Sequence, residues 1–324
     1  YPYHQWMTQE FDEAGWNLVQ KSLQQKRTHD VTMLIEGPDG RFALMSKHSY
    51  PPGIFRSPSG GVKPGEDLVT GALREAKEET GLEIELKRFL LNITLDISYK
   101  GEVATWDSYV FYATTRDTQL RPTDLKEVKD TVWAGREHLQ AMAVKLRETG
   151  NGGLMYRGSL TTLSLWALDN PLVLREARPH DMPGVTHSLL ANRLPVQNVD
   201  RTFWWIAEVQ GLASSTIGIS LHNDCAEIIG LTVDPLFRGK GVGHAMVEYV
   251  CDQWADTAKR KRLGERLKTP VLNDKLWLTT SMPGYFLPVN FVITDKNLLP
   301  ASIQEQLTGT RAKWQGMRYQ FYKI

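Results

Sequence analysis

Apolar residues recur along the chain with two periods, and the switches between them outline its elements. Residues 8–27, "TQEFDEAGWNLVQKSLQQKR", place Phe11, Trp16, Val19 and Leu23 at helical spacing, which predicts an amphipathic helix. β-rich runs on either side of "GPDG" in residues 30–48 predict a hairpin. After the proline-rich loop "SYPPGIFRSPSGG", Leu68, Val69, Ala72, Leu73 and Ala76 form one stripe of a helix from about Asp67 to Thr80. Gly81 stands where a C-terminal glycine cap belongs. "EIELKRFLLNITLDISY" and "TWDSYVFYATT" read as strands, "DLKEVKDTVWAGREHLQAMA" as a short strand and a helix, and "SLTTLSLWALDNP" as a closing helix. The second half predicts a strand (172–177), a helix (about 181–194) and strands at 203–209, 216–221 and 226–233. A helix then runs to about Ala255, and strands at "LWLTT" and "GMRYQFYKI" close the chain. The expected class is α/β (mixed α+β), with a helical extension over residues 1–29, one domain over 30–170 and another over 171–324.

Composition changes this picture little. A chain of 324 residues is too long for one ordinary small core. Its net charge of +1 provides no global field for a nucleic-acid polymer or an anionic membrane, so neither partner is expected. The basic run "KRKRLGERLK", residues 259–268, reads as a solvated helix end or loop, with a nucleic-acid contact as the other reading. Cys225 and Cys251 form neither a disulfide framework nor a metal-ligand spacing. They are expected to pack as small apolar residues in a reducing cytoplasm. No apolar run approaches the ~18 residues of a membrane span, and no leader signature is expected at the start.

The first chemistry lies in "SGGVKPGEDLVTGALREAKEETGL", residues 59–82. Glu75, Glu78 and Glu79 share one wedge of the predicted helix. Like charges three or four residues apart each cost about 0.2–0.5 kcal/mol on an exposed helix. Arg74 can offset one of them at i+4. A divalent cation explains the rest, because clustered hard oxygens suit Mg2+ or Mn2+. A solvated acidic face is the alternative. The spacing weighs against that alternative: Gly60, then Glu66, then Arg74-Glu75-Ala76-Lys77-Glu78-Glu79-Thr80-Gly81-Leu82 resembles the Nudix box in full. The resemblance covers about residues 30–143. It implies an α/β/α sandwich that hydrolyses the pyrophosphate of a nucleoside diphosphate linked to another group, a nucleotide-type small molecule written NDP–X. By that pattern Glu78 and Glu79 are metal ligands, and Glu75 is a ligand or the general base. Arg74 holds the carboxylates, and the Ser59 carbonyl touches metal. Glu127, then Glu102 and Asp124, are candidates for a further glutamate-type contact, or else are surface carboxylates. Lys47, Arg56 and Gly60 flank the substrate phosphates. Trp106 or Tyr109 stacks on a base, or packs in the core.

The second chemistry lies in "EIIGLTVDPLFRGKGVGHAMVEYV". Between an apolar strand and an amphipathic helix, Arg238-Gly239-Lys240-Gly241-Val242-Gly243 makes a glycine-rich turn. Bare N–H groups and the helix dipole there suit a pyrophosphate. With its flanking strands, residues 172–324 resemble a GNAT N-acetyltransferase, a mixed-sheet domain. The resemblance implies acetyl-CoA as cofactor and a small amine as acceptor. Backbone amides of Gly239 to Gly243 hold the cofactor pyrophosphate, and the strand edge from Leu231 to Val233 pairs with the pantetheine arm. Glu227 is the general base, or else a solvent-facing strand residue. The position where the family often carries a general-acid tyrosine is Phe286, with Tyr285 next to it and expected to point elsewhere. The alternative for this half is a non-catalytic CoA-binding regulatory module.

Overall fold

The computed structural model describes residues 1–197, 199–271, 273–308, 311 and 313–320. The chain divides into two compact units, Tyr1–Pro171 and Leu172–Ile324.

In chain order the first unit runs β1 (Tyr3–Glu10), α1 (Glu13–Gln24), β2 (His29–Glu36), β3 (Phe42–Lys47), β4 (Ser59–Gly61), α2 (Leu68–Thr80), β5 (Ile84–Tyr99), β6 (Glu102–Thr115), β7 (Val128–Ala134), α3 (Arg136–Arg147) and α4 (Gly152–Asp169). Its mixed sheet has the order β1-β5-β6-β2-β3-β7, with β4 on β2. Successive residues of β2 point to opposite faces. Val31, Met33 and Ile35 join Ala72 and Ala76 of α2 in one core cluster. Asp30 and Thr32 on the other face accept hydrogen bonds from Arg157 of α4, at 2.6 and 3.0 Å. A helix on each face makes the α/β/α sandwich.

Residues 8–27 do not form one helix. Thr8 to Glu10 belong to β1, which pairs in parallel with β5 from Tyr3↔Leu91 to Glu10↔Ser98. The helix starts only at Glu13, where Asp12 accepts a 2.7 Å bond from the Gly15 amide. The start of the chain is therefore part of the sheet rather than a helical extension over 1–29. An open β5 edge offers the backbone of β1 a row of hydrogen bonds that solvent would otherwise fill. The predicted stripe of α2 also shifts. Val69 and Leu73 are exposed, and the small residues Gly71, Ala72 and Ala76 face the sheet together with Glu79 and Thr80. A helix seated this close has room for alanine and glycine but not for leucine.

The second unit runs β8 (Leu172–Glu176), α5 (Met182–Ala191), β9 (Thr202–Val209), β10 (Leu212–Leu221), β11 (Ala226–Val233), α6 (Val242–Ala255), α7 (Thr257–Leu267), β12 (Leu276–Thr280), α8 (Pro283–Phe286), β13 (Phe291–Ile293), α9 (Ala301–Gln306) and β14 (Gln315–Tyr319). Its mixed sheet has the order β13-β14-β12-β11-β10-β9-β8. β11 and β12 are parallel and paired only over Ala226–Ile228 and Leu276–Leu278. Beyond Ile228 the two strands part. The register of β11 against β10 breaks at the same place, at Gly230 (φ 64°). A Cβ there would lie 2.5 Å from the Trp204 ring, so both space and conformation demand glycine. The basic run 259–268 forms most of α7, capped by Asp256, with Leu263 and Gly264 buried. Of the expected closing strand, residues 321–324 lie outside the described residues. No helix among the described residues is long and apolar enough to cross a membrane.

Candidate active sites

The first site is built where α2 meets β4. Asp67 caps α2 by accepting from the Thr70 amide at 2.9 Å, and Gly81 ends it with φ 77°. Arg74 then organises the acidic wedge. Its Nε and Nη2 donate to the two oxygens of Glu66, both at 2.8 Å. Nη1 donates to Glu75 at 2.6 Å and to Glu78 at 2.9 Å, and Nη2 also reaches the Gly61 carbonyl at 3.0 Å. The single i+4 contact expected from the sequence is thus one of a network in which Arg74 joins three glutamates. The paired Arg74 guanidinium holds the Glu66 carboxyl down at about 2. Burial, by contrast, raises Glu75 above the ordinary carboxylate range, against the pull of Arg74.

Glu79 sits differently. It is 3% exposed. Its oxygens accept from the Ser59 amide at 2.7 Å and from Arg56 Nη2 at 3.1 Å. Arg56, expected at a substrate phosphate, is instead buried. Its remaining donors reach the Tyr50 hydroxyl, the Ser57 carbonyl, and the Ser59 hydroxyl and carbonyl at 2.8, 2.7, 2.8 and 3.4 Å. No donor is left for phosphate, and a guanidinium with five fixed donors is suited to this buried role. Lys47 ion-pairs with Glu127 and lies 4.0 Å from Glu79. Burial, helped by Arg56, pulls its ammonium down to about 8. Lys47 therefore brings Glu127 beside the acidic wedge. Asp124 caps its own loop at the amides of Lys126 and Glu127, and Glu102 sits at the β5–β6 turn. Gly60 has a steric reason: a Cβ on it would lie 1.9–2.3 Å from the Glu75 carboxylate. Tyr109 packs against the α2 core cluster and is edge-on to His29 at 5.8 Å. Trp106 is paired with Leu95 across the β5–β6 ladder.

Among the described residues no three His, Cys, Asp or Glu side chains are arranged to hold a metal ion. The protein's own cations answer the acidic wedge instead, so repulsion alone does not call for a metal. The donor chemistry nevertheless fits a hard divalent ion. Glu75 Oε2 lies outside the Arg74 bonds, and Glu78 Oε1 faces only Lys63 at 3.9 Å. Glu78 is also 39% exposed at its side chain, free to re-aim.

The second site lies at the parting of β11 and β12. Gly239 (φ 68°) and Gly241 (φ 83°) turn the chain into α6, and no side chain caps the first turn of that helix. Lys240 lies between these two glycines and Val242 opens α6. Arg238 points back from this turn, donating to the Val233 carbonyl at 3.0 Å and to Asn192 at 3.1 Å. It braces the turn. Tyr285 does not point elsewhere: a Cβ on Gly243 would lie 2.1 Å from its hydroxyl and 3.1 Å from Val233. The short α8 and the turn after it set this direction, and a longer helix would not. Burial pushes the Tyr285 hydroxyl up to about 12. Phe286 packs on Phe291. Glu227 is 1% exposed, not solvent-facing. His222, which the sequence reading overlooked, donates to it across 2.9 Å, joined by Gln306 at 2.7 Å and Thr279 at 3.3 Å. A histidine five residues ahead of a strand glutamate was the only cue, and only the turn at 222–225 makes it a contact.

Two folds with these sites define a chain of two catalytic-type domains. Residues 26–151 match the NUDIX domain and residues 171–274 match the Acetyltransferase (GNAT) family. The chain is an enzyme that carries a Nudix hydrolase domain followed by a GNAT acetyltransferase domain. An RNA pyrophosphohydrolase of Caulobacter vibrioides is 29% identical over 133 residues, 36% of this chain and 77% of that one. Among solved structures, the N-acetylglutamate synthase of Neisseria gonorrhoeae with coenzyme A and N-acetyl-glutamate is 14% identical (TM-score 0.36). That match covers 57% of this chain and spans about half of the synthase. An Ap4A hydrolase of C. elegans is 22% identical (TM-score 0.29), over 42% of this chain and 97% of that one.

Proposed function

We propose that the first unit hydrolyses the pyrophosphate bond of an NDP–X compound with Mg2+ or Mn2+, and that the second transfers acetyl from acetyl-CoA to a small amine. The observation that carries the first reading is the carboxylate network ordered by Arg74 against Gly60 and Gly61. Glu75 and Glu78 would hold the ion, and Glu79 would join them only by releasing Ser59 or Arg56. When bound, the ion acidifies water and neutralises phosphate oxygens. In the other reading of Glu75, as general base rather than ligand, its raised proton affinity would let it take a proton from the attacking water. Lys47, paired with Glu127 beside the acidic wedge, would contact the substrate phosphates. For the second unit, the glycine turn and the first turn of α6, from Gly239 to Gly243, would bind the pyrophosphate of CoA through backbone amides and the helix dipole. The edge of β11 from Leu231 to Val233, beyond its pairing with β12, would take the pantetheine amides.

The deciding experiment is a panel of NDP–X compounds, with a 5′-triphosphorylated RNA included, assayed with Mg2+ or Mn2+. Glu78→Gln should lower the best hydrolysis at least a hundredfold. Parent-like hydrolysis by that variant would remove the assignment. A second reading, in which the GNAT unit binds CoA and regulates the hydrolase without transfer, draws support from Phe286 at the tyrosine position and from the burial of Glu227. CoA binding without acetyl transfer to any amine would favour it.

A further inference from the structure

Glu227 poses a problem for any base at this position: at 1% exposure it has no direct route to solvent for a proton it accepts. Its two oxygens are unequally used. Oε2 accepts from both His222 Nε2 and Gln306 Nε2, whereas Oε1 has only the 3.3 Å contact with Thr279. Oε1 therefore keeps acceptor capacity, on the side of β12, where the strands begin to part. Glu227 and Ile229 share one face of β11 by alternation, and Cys225 immediately precedes the strand. Cys225 and Trp277 are covered by Ile303 and Leu307 around α9, and Ile229 by Val185 and Leu189 of α5. Glu227 lies between those two clusters. On its other side, His222 is held by the turn in which its amide bonds the Cys225 carbonyl at 2.8 Å. Its side chain is 26% exposed. It lines a small cleft beside Trp254 of α6 and Val271.

We propose that His222 is a proton relay that carries the proton taken up by Glu227 out to the cleft beside α6. This rests on the reading of the second unit as an acetyltransferase. The ammonium of the acceptor gives its proton to Oε1 of Glu227. The free amine attacks the thioester carbonyl, forming the C–N bond as the C–S bond breaks. The leaving thiolate takes up the proton that the amide nitrogen sheds. For this step His222 takes the Nδ1–H tautomer: Nε2 accepts the Glu227 carboxyl proton, and the imidazolium releases one from Nδ1 to water in the cleft. That leaves the Nε2–H tautomer that donates to Glu227 at rest, and exchange with water returns the ring to Nδ1–H for the next turnover. One proton leaves per turnover and no electrons are exchanged. The hydrogen bond to Glu227 raises the proton affinity of His222, burial opposes it, and Asp224 on the same turn adds to it. That keeps the ring able to accept from a buried carboxyl.

The test compares acetyl transfer by the full chain with that of His222→Gln and His222→Ala. Glutamine keeps a donor for Glu227 but cannot titrate. Both variants should lose tenfold or more in kcat with KM for acetyl-CoA within about twofold, and added imidazole should restore His222→Ala. Parent-like kcat in His222→Gln, or loss that imidazole cannot restore, overturns the relay. Absence of transfer by the parent protein overturns the acetyltransferase reading and the relay with it. NMR titration separates these failures. In Glu227→Gln the pKa of His222 should fall whether or not the protein turns over, and an unmoved value overturns the pair itself.

Discussion

At the scale of single residues, the two neighbouring glutamates of the Nudix box differ in what they hold. Glu78 is partly exposed and shares Arg74 with two others, whereas Glu79 is the buried partner of Arg56 and of the Ser59 amide. Removing one member of a buried charged pair leaves the other charge unpaired. Glu79→Gln should therefore lower unfolding free energy by about 3 kcal/mol, and Glu78→Gln by well under 1 kcal/mol, although both lose hydrolysis. Urea denaturation of the two variants checks this, and equal losses would contradict it. Glu66 predicts a pH effect. Its folded carboxyl sits at about 2, below the ordinary 4.5, because of Arg74. A depressed carboxyl contributes stability that is present above the unfolded value and fades as pH falls from 4.5 towards 2. Glu66→Gln should thus flatten the acid limb of the stability curve in that window and leave the limb above pH 6 parallel to the parent. Gly60→Ala should cut kcat/KM at least tenfold, because the new Cβ occupies the place of the Glu75 carboxylate. Unchanged kinetics would remove that steric account.

At the scale of elements, legibility followed how local the cause was. The cap at Asp67, the left-handed Gly81 and the turn at Gly239 and Gly241 depend on a few adjacent residues, and the sequence shows them plainly. Arg56 was misread because its partners, Tyr50, Ser59 and Glu79, meet only through β4 and α2. Tyr285 was misread because a regular helix was assumed where the chain makes a single turn between Pro283 and Pro288. β1 was hidden because a parallel partner eighty-odd residues away leaves no local turn signal. Its packing gives a prediction. Tyr3 is 1% exposed and donates to the Asn170 carbonyl at 2.5 Å. Deleting residues 1–10 should lower the Tm of the first unit by several degrees and promote association through the bared β5 edge. A truncated chain with parent-like Tm and a monomeric elution profile would show that β1 is dispensable.

At the scale of the whole chain, two compact units carry the two candidate sites. A ligand that binds only the folded form stabilises it by RT ln(1 + [L]/Kd), about 2.7 kcal/mol at a hundred times Kd. Scanning calorimetry should therefore show CoA raising the transition of the second unit, and Mg2+ with a non-hydrolysable NDP–X analogue raising that of the first. Substitution of Gly243 needs care as a probe of the CoA site, since a side chain there also strikes the Tyr285 hydroxyl. Gly241, with φ 83°, is strained by any side chain through its backbone. Tyr285→Ala combined with Gly243→Ala separates the two effects: if the double variant binds CoA like the parent, the glycine serves the tyrosine, and if it binds weakly, the glycine serves the cofactor. The same traces decide between transferase and regulator. A sensing module requires CoA to alter the hydrolase, and linkage makes that reciprocal. CoA would then move both transitions, and the nucleotide analogue would change the affinity for CoA by the same factor. Two independent shifts, with hydrolysis unchanged by saturating CoA, would leave two enzymes on one chain.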